Sequence, residues 1–275
     1  MEKLKFSVSM CVYGKDNPAW FETAVESVLN QKCMPDEVVL VVDGPVPDEL
    51  DNIIKKYEEK EMFNVIRLET NMGHGEARRI GLDNCKNNLV ALMDADDICL
   101  PDRFEKQIAM FEKDEELSIV GGNITEFIDT PENIVAKRLV PSEDKEIKEY
   151  LKIRCPMNQV TVVFKKDCVG SVGGYIDWYC EEDYYLWIRM SLAGMKFANL
   201  PDILVNVRVG ADMYQRRGGI RYFKSEAKLQ KLMLDEKIIG IGTYFSNVLK
   251  RLIVQVLLPN KIRGWIFKKI ARKMV

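Results

Sequence analysis

The run Val38-Val39-Leu40-Val41-Val42, closed by Asp43-Gly44-Pro45, constrains the fold more than any other stretch. Five consecutive apolar residues without alternation describe a strand buried on both faces, which requires a covering layer on each side of a sheet. The first half of the chain repeats the unit around it. Residues 6–13 alternate apolar with smaller side chains and run into the breakers of 14–18, after which Trp20, Phe21, Ala24, Val25, Val28 and Leu29 share one helical face behind Pro18. Leu50, Ile53, Ile54 and Tyr57 mark a second helix, residues 65–68 a third strand, 76–84 a third helix and 89–93 a fourth strand. This order predicts an α/β fold with a mostly parallel, doubly wound sheet, whose ligands bind beyond the carboxyl ends of the strands. Strands at 119–122 and 161–164 and a helix at 184–192, closed by Gly194, extend it into a second wall.

Composition sets limits on the chemistry. With 275 residues, 47% hydrophobic, the chain buries a full core, and the absence of repeats or a low-complexity linker makes residues 1–236 one expected domain. Seven cysteines, odd in number and without a C-x-x-C pair, suggest neither a disulfide framework nor a structural zinc site, so a reducing cytosol is expected. The charged N-terminus is not expected to be a secretory signal. His74 is the only histidine, which rules out a histidine-rich metal site and assigns acid–base work to carboxylates. Residues 237–275 hold nine Lys or Arg and no Asp or Glu, so of the net charge of −2 the rest of the chain carries −11. An acidic body argues against nucleic-acid binding, and a basic tail against an acidic body points the tail at an anionic partner, first of all a membrane surface.

Four stretches can carry chemistry. In Asp94-Ala95-Asp96-Asp97 the first and third residues of a strand end share a side, so Asp94 and Asp96 can converge on one Mg²⁺ or Mn²⁺ completed by phosphate oxygens; the other reading is an acidic turn opening the helix from Arg103. Asp43 can accept from a base imide N–H or from a ribose hydroxyl, or it merely starts a turn. The loop of 71–75, leading through His74 into Arg78 and Arg79, offers glycines, a helix N-terminus and cations for a diphosphate, without the spacing of a P-loop or dinucleotide fingerprint. Glu182 and Asp183 open an apolar helix whose N-terminus favours the ionised form, as a base requires; first-turn acids of a plain cap look the same. Arg208, Arg216 and Arg217 among glycines suggest a lid over the diphosphate or a solvated basic loop.

Taken together, the Val12-Tyr13 strand end, Val42-Asp43-Gly44, residues 71–78, residues 93–103 and Glu182-Asp183-Tyr184-Tyr185-Leu186-Trp187 resemble the inverting glycosyltransferases of family 2, which have the GT-A fold, over residues 5–215. Asp43-Gly44-Pro45, residues 93–107 and Arg208-Val209-Gly210-Ala211-Asp212 look like the amylovoran-type branch, bacterial enzymes of exopolysaccharide and O-antigen synthesis. The resemblance implies that Asp43, with Val12, Tyr13 and Arg78, contacts the nucleotide; that Asp94 contacts ribose or donor sugar and helps Asp96 hold the metal; and that Asp183 is the catalytic base. Arg79 stands where the family commonly has Asn, and Gln159 where many relatives have His.

A UDP-hexose donor, glucose or galactose favoured, and a lipid-linked saccharide acceptor, such as N-acetylglucosamine on undecaprenyl diphosphate, follow from that resemblance, with a β linkage as product. The tail of 237–275 then reads as an amphipathic helical attachment to anionic lipid on the inner face of the bacterial inner membrane, with Lys250, Arg251, Lys261 and Arg263 at headgroups and Trp265 and Ile266 inserting. A helix packed on the domain with a solvated basic face is the alternative. No apolar run approaches the ~20 residues of a span. Two other readings compete: a sugar nucleotidyltransferase, for which Gly14-Lys15-Asp16 is a poor triphosphate loop, and a non-catalytic sugar-nucleotide-binding subunit.

Overall fold

The computed structural model describes residues 3–210 and 218–258 and the backbone of 273–274. Its first half is the expected alternation: β1 (Phe6–Tyr13), α1 (Pro18–Leu29), β2 (Glu37–Asp43), α2 (Asp48–Glu58), β3 (Phe63–Arg67), α3 (His74–Asn84) and β4 (Leu89–Met93). Pro18 occupies the first turn of α1, and the Asn17 side chain caps it by accepting from the Trp20 amide at 3.2 Å. The three pairings β1–β2, β1–β4 and β2–β3 are parallel, and β2 is buried along its whole length. Its alternate residues feed two cores: Val38, Leu40 and Val42 meet Phe21, Val25 and Ile54 on one face, while Val39 joins Val90, Leu92, Phe164 and Trp187 on the other. Each such side chain contributes about 1.5–3 kcal/mol by leaving water.

Beyond β4 the sheet becomes mixed. The elements are β5 (Ile98–Cys99), α4 (Arg103–Lys113), β6 (Leu117–Phe127), β7 (Ile134–Arg138), α5 (Asp144–Leu151), β8 (Val163–Lys165), α6 (Lys166–Ser171), α7 (Glu182–Leu192), β9 (Lys196–Arg208), α8 (Ile220–Asp235), α9 (Ile241–Leu252) with a π-helical turn at Ile253–Leu257, and β10 (Lys273–Met274). The strand order is β10-β7-β6-β8-β4-β1-β2-β3, with β9 pairing β6 and β5. Strand β8 runs antiparallel to both β4 and β6, so the expected mostly parallel sheet is parallel in β3-β2-β1-β4 and in β6–β9 and mixed as a whole. A 3-10 turn at Gln159–Thr161 occupies the start of the segment expected as a strand, and β8 begins after Val162.

One buried cation braces the join. Arg103, fully buried at the start of α4, donates from Nη2 to the Leu92 carbonyl at 2.9 Å and from Nε to Gln107 at 3.0 Å, and Gln107 donates at 2.8 Å to the carbonyls of Val120 and Thr161. The end of β4, and thus Asp94, is thereby fixed to β6 and to the turn before β8.

Candidate active site

The parallel strands deliver their carboxyl ends to one rim. Tyr13 lies opposite Asp43 in the β1–β2 register, and Met93 lies opposite Met10, so Asp94 follows beside Cys11. Val12 is buried in the core and offers only main chain, whereas the Tyr13 side chain is exposed. Asp43 is itself buried and engaged: Oδ1 accepts from the Met72 amide at 2.6 Å and Oδ2 from the Gly73 amide at 3.1 Å. This holds the loop of 71–73 against the end of β2. Gly44, at φ +84°, permits the approach, because a Cβ there would stand 2.6 Å from the Asn71 nitrogen.

His74 begins α3 and is exposed; it is not in the preceding loop, where the glycine spacing had suggested it. Arg78, one turn on, is buried and joins two sides of the site: Nη2 donates to Asp94 Oδ1 at 2.8 Å and Nη1 lies 3.8 Å from Glu182 Oε1. His74 Nδ1 lies 3.6 Å from the same Glu182 oxygen. Burial opposes the charge on Arg78, but Asp94 and the groups behind it outweigh that and raise its pKa. Burial likewise acts to raise Asp94, and Arg78 and His74 overcome it, holding that carboxyl below the usual range.

Among the described residues no cation pairs with the Asp96 carboxylate. Burial, then Asp94 and Asp16, push its pKa up to about 6, with nearby Arg208 lowering it only weakly, and burial with Asp94 brings Asp16 up to about 6 as well. Asp16, which the sequence left in a turn, is thus part of this acidic rim; its Oδ2 accepts from the Tyr13 amide at 3.0 Å. Carboxylates that repel one another at a strand end, with oxygen donors only, suit a hard divalent cation completed by phosphate oxygens. No cluster of three or more ligating side chains occurs among the described residues, so Asp94 and Asp96 would supply a sparse set. The same acidity around Gly14-Lys15-Asp16 is the opposite of a triphosphate cradle.

Arg208 is the last residue of β9, at the start of the stretch read as a lid or a solvated basic loop, most of which lies outside the described residues. Its guanidinium is sandwiched between the rings of Trp20 and Phe127, at 4.5 and 4.6 Å from their centroids, and donates from Nε to the Asp96 carbonyl at 3.2 Å. Its amide donates to Asp97 Oδ1 at 2.8 Å, so buried Asp97 ties the acidic turn to β9. Arg216 lies outside the described residues.

Glu182 and Asp183 are the first two residues of α7 and differ in company. Glu182 faces Arg78 and His74; burial opposes its charge, and those two partners bring its pKa down. Asp183 Oδ1 accepts from the Tyr184 amide at 2.6 Å, and Oδ2 is approached by Cys155 Sγ at 3.9 Å. The helix N-terminus favours ionised Asp183 as anticipated, yet burial and then Glu182 outweigh it and raise the pKa. Tyr175, buried, and Gln159, whose Nε2 is 3.5 Å from the Tyr175 hydroxyl, stand beside this pair. Neither Tyr175 nor Cys155 carried a sequence signal; only the departure at Gln159 pointed here. A shallow cavity bounded by Asp36, Glu37, Phe63 and Lys86 lies at the amino ends of β2 and β3, the wrong end of the sheet for a ligand of such folds.

The fold and rim together define a nucleotide-sugar transferase of GT-A type. Residues 7–170 match the family described as "Glycosyl transferase family 2", and the chain belongs to that family. It is 39% identical over 266 residues to the amylovoran biosynthesis glycosyltransferase AmsE of Erwinia amylovora, covering 96% of this chain and 98% of that protein. It is 35% identical over 271 residues to the UDP-Gal:alpha-D-GlcNAc-diphosphoundecaprenol beta-1,3-galactosyltransferase of Escherichia coli, covering 98% of each. Among solved structures, S. aureus TarS 1-349 in complex with UDP-GlcNAc superposes with a TM-score of 0.68 at 18% identity, over 97% of this chain and 76% of that one. The mannosyltransferase PcManGT from Pyrobaculum calidifontis, in complex with GDP-Man and Mn²⁺, gives 0.63 at 14% identity, over 94% and 71%. These last two establish the fold alone, and it is the GT-A fold expected.

Proposed function

We propose that the chain transfers a hexose, glucose or galactose, from a UDP-sugar to a diphospholipid-linked saccharide such as N-acetylglucosaminyl diphosphoundecaprenol, with inversion to a β linkage. The observation that carries this is the division of carboxylates around Arg78. Asp94 and Glu182 are tied to cations, while Asp183, beside Glu182 at the start of α7, makes no ion pair among the described residues, and its pKa is raised. A carboxylate whose pKa is raised is the stronger base in its ionised form.

In this reading Asp183 takes the proton of the acceptor hydroxyl as that oxygen bonds to the anomeric carbon. The bond from that carbon to the diphosphate oxygen breaks on the other face, the electron pair leaves with the nucleoside diphosphate, and the centre inverts. Asp43 releases its loop amides to take the base or ribose. Asp96 and Asp94 would hold Mn²⁺ or Mg²⁺, which would supply positive charge at the departing diphosphate. Residues 1–236 form the transferase body, and 237–275 attach it to anionic lipid on the inner face of the bacterial inner membrane. The names of the two bacterial relatives support the acceptor class.

Labelled UDP-glucose, UDP-galactose and their N-acetyl analogues, offered with Mn²⁺ and a synthetic diphospholipid-linked N-acetylglucosamine, test the reading. Incorporation from one hexose donor is expected. Hydrolysis alone, or transfer only to acceptors lacking the diphosphate, would contradict it.

A further inference from the structure

Helix α9 is attached inside out. Its polar side chains face the body: Asn247 donates to the Lys152 carbonyl at 3.0 Å and to Gln230 at 2.8 Å, Arg251 pairs with Glu226 at 3.2 Å and donates to the Ile153 carbonyl at 2.8 Å, and Gln255 in the following π turn donates to Glu226. Its apolar residues face away. Ile241, Phe245, Leu249, Ile253 and Leu257 recur every fourth residue and are 41–66% exposed. At 3.6 residues per turn such a ridge would wind around the helix; the wider π turn at Ile253–Leu257 brings Leu257 back toward the same side. A surface helix normally buries its apolar stripe, so this face is built for something other than the domain core.

The geometry points to an anionic bilayer surface as the occupant, with the α9 ridge inserted among the acyl chains. This deepens, and rests on, the reading of a lipid-linked acceptor. Charge complementarity favours lipid over a second copy: Lys250 is exposed at the edge of the ridge, and residues 237–275 hold nine cations and no acid, so two copies would bring like charges together. No helix among the described residues is long and apolar enough to cross a membrane, which fits a helix lying in the interface.

The polar seam also leads straight to Asp183. The carbonyls of Lys152 and Ile153 accept from α9, the Leu151 carbonyl accepts from the Tyr184 hydroxyl, and Cys155 lies against Asp183. One short segment therefore separates the lipid-facing helix from the proposed base. A sugar on a diphosphate at headgroup level is presented to Asp183 by the same contact that docks the protein.

The test is co-sedimentation of the full chain with vesicles of phosphatidylglycerol and phosphatidylethanolamine, comparing wild type with Phe245→Glu/Leu249→Glu. Binding is expected to weaken by about tenfold or more, with an equal loss of transfer to vesicle-embedded acceptor, unchanged melting temperature and unchanged transfer to a water-soluble short-chain acceptor. As an independent readout that needs no disruptive change, Phe245→Trp should show a blue-shifted emission on adding these vesicles. Vesicle binding equal in wild type and double variant, or no emission shift, overturns the proposal. A wild-type dimer that the double variant converts to monomer overturns it in favour of a second copy. Lost vesicle binding in the variant with no hexose transfer by wild type to any acceptor sustains the docking face and removes the functional reading instead.

Discussion

Asp94 and Asp183 are the same side chain in two opposite electrostatic settings. Asp94 sits at the end of a parallel strand with Arg78 at 2.8 Å, and its carboxyl is held below the usual range against the pull of burial. Asp183 sits at a helix start on the mixed side of the sheet; burial and Glu182 raise it, and the two arginines that act against them, Arg78 and Arg138, are engaged elsewhere, with Asp94 and with the Cys155 carbonyl. The difference assigns work. A permanently ionised carboxylate can grip, while one whose charge is opposed can accept a proton.

After loss of the base itself, the largest effect that sharpens this division belongs to Asp96. Asp96→Asn should lower kcat by about 10²–10³-fold, a loss of ~2.7–4 kcal/mol in leaving-group stabilisation. The donor affinity of that variant, measured by calorimetry with and without Mn²⁺, should become insensitive to the metal, as chelation with EDTA should make the wild type. Donor binding that still responds to Mn²⁺ would break the assignment.

Next in size are the stability effects, a loss for one variant and none for the other. Asp94→Asn strips buried Arg78 of its nearest partner and should cost about 2–3 kcal/mol in urea unfolding, less than a fully buried pair because Asp94 keeps part of its side chain in water. Asp183→Asn should cost none, since it removes a charge that the site opposes. The sign of the pH dependence follows. Because Asp183's folded pKa is raised, its ionisation penalises the fold at neutral pH, and that penalty disappears as pH falls through the raised value. Equal losses for the two variants would erase the contrast.

The smallest effect is a shift in a profile. Glu182→Gln removes the second contribution to Asp183's raised pKa, so the acid limb of kcat/KM should move to lower pH by less than about one unit. An unmoved limb would mean that a group other than Asp183 titrates.

Much of the strand-end rim was legible because its signals are local. Val38–Val42 needs two covering layers and can only end at a rim, where Asp43 closes β2 and Asp94 follows β4. Periodicity reports neighbours in sequence; the wall beyond β4 is made of distant ones. Strand β9 contains Pro201, Asp202 and two asparagines, so it carries no strand pattern of its own, and its identity comes from pairing with β6. Arg208 thus looked like loop because glycine follows it, whereas Trp20 and Phe127, from α1 and β6, fix it in place. Asp16 reads as turn punctuation until the β1 end folds it against Asp94. The amphipathic pattern of α9 was plain, but a pattern does not say which face is inward, and Glu226 and Gln230 on α8 decide that.

The direct test is transfer by Asp183→Asn from the preferred UDP-hexose to a diphospholipid-linked acceptor, with donor affinity measured on the same sample. A fall of about 10²–10⁴-fold in transfer with unchanged donor affinity is the predicted result. Transfer within a few-fold of wild type would contradict the assignment of Asp183 as the base.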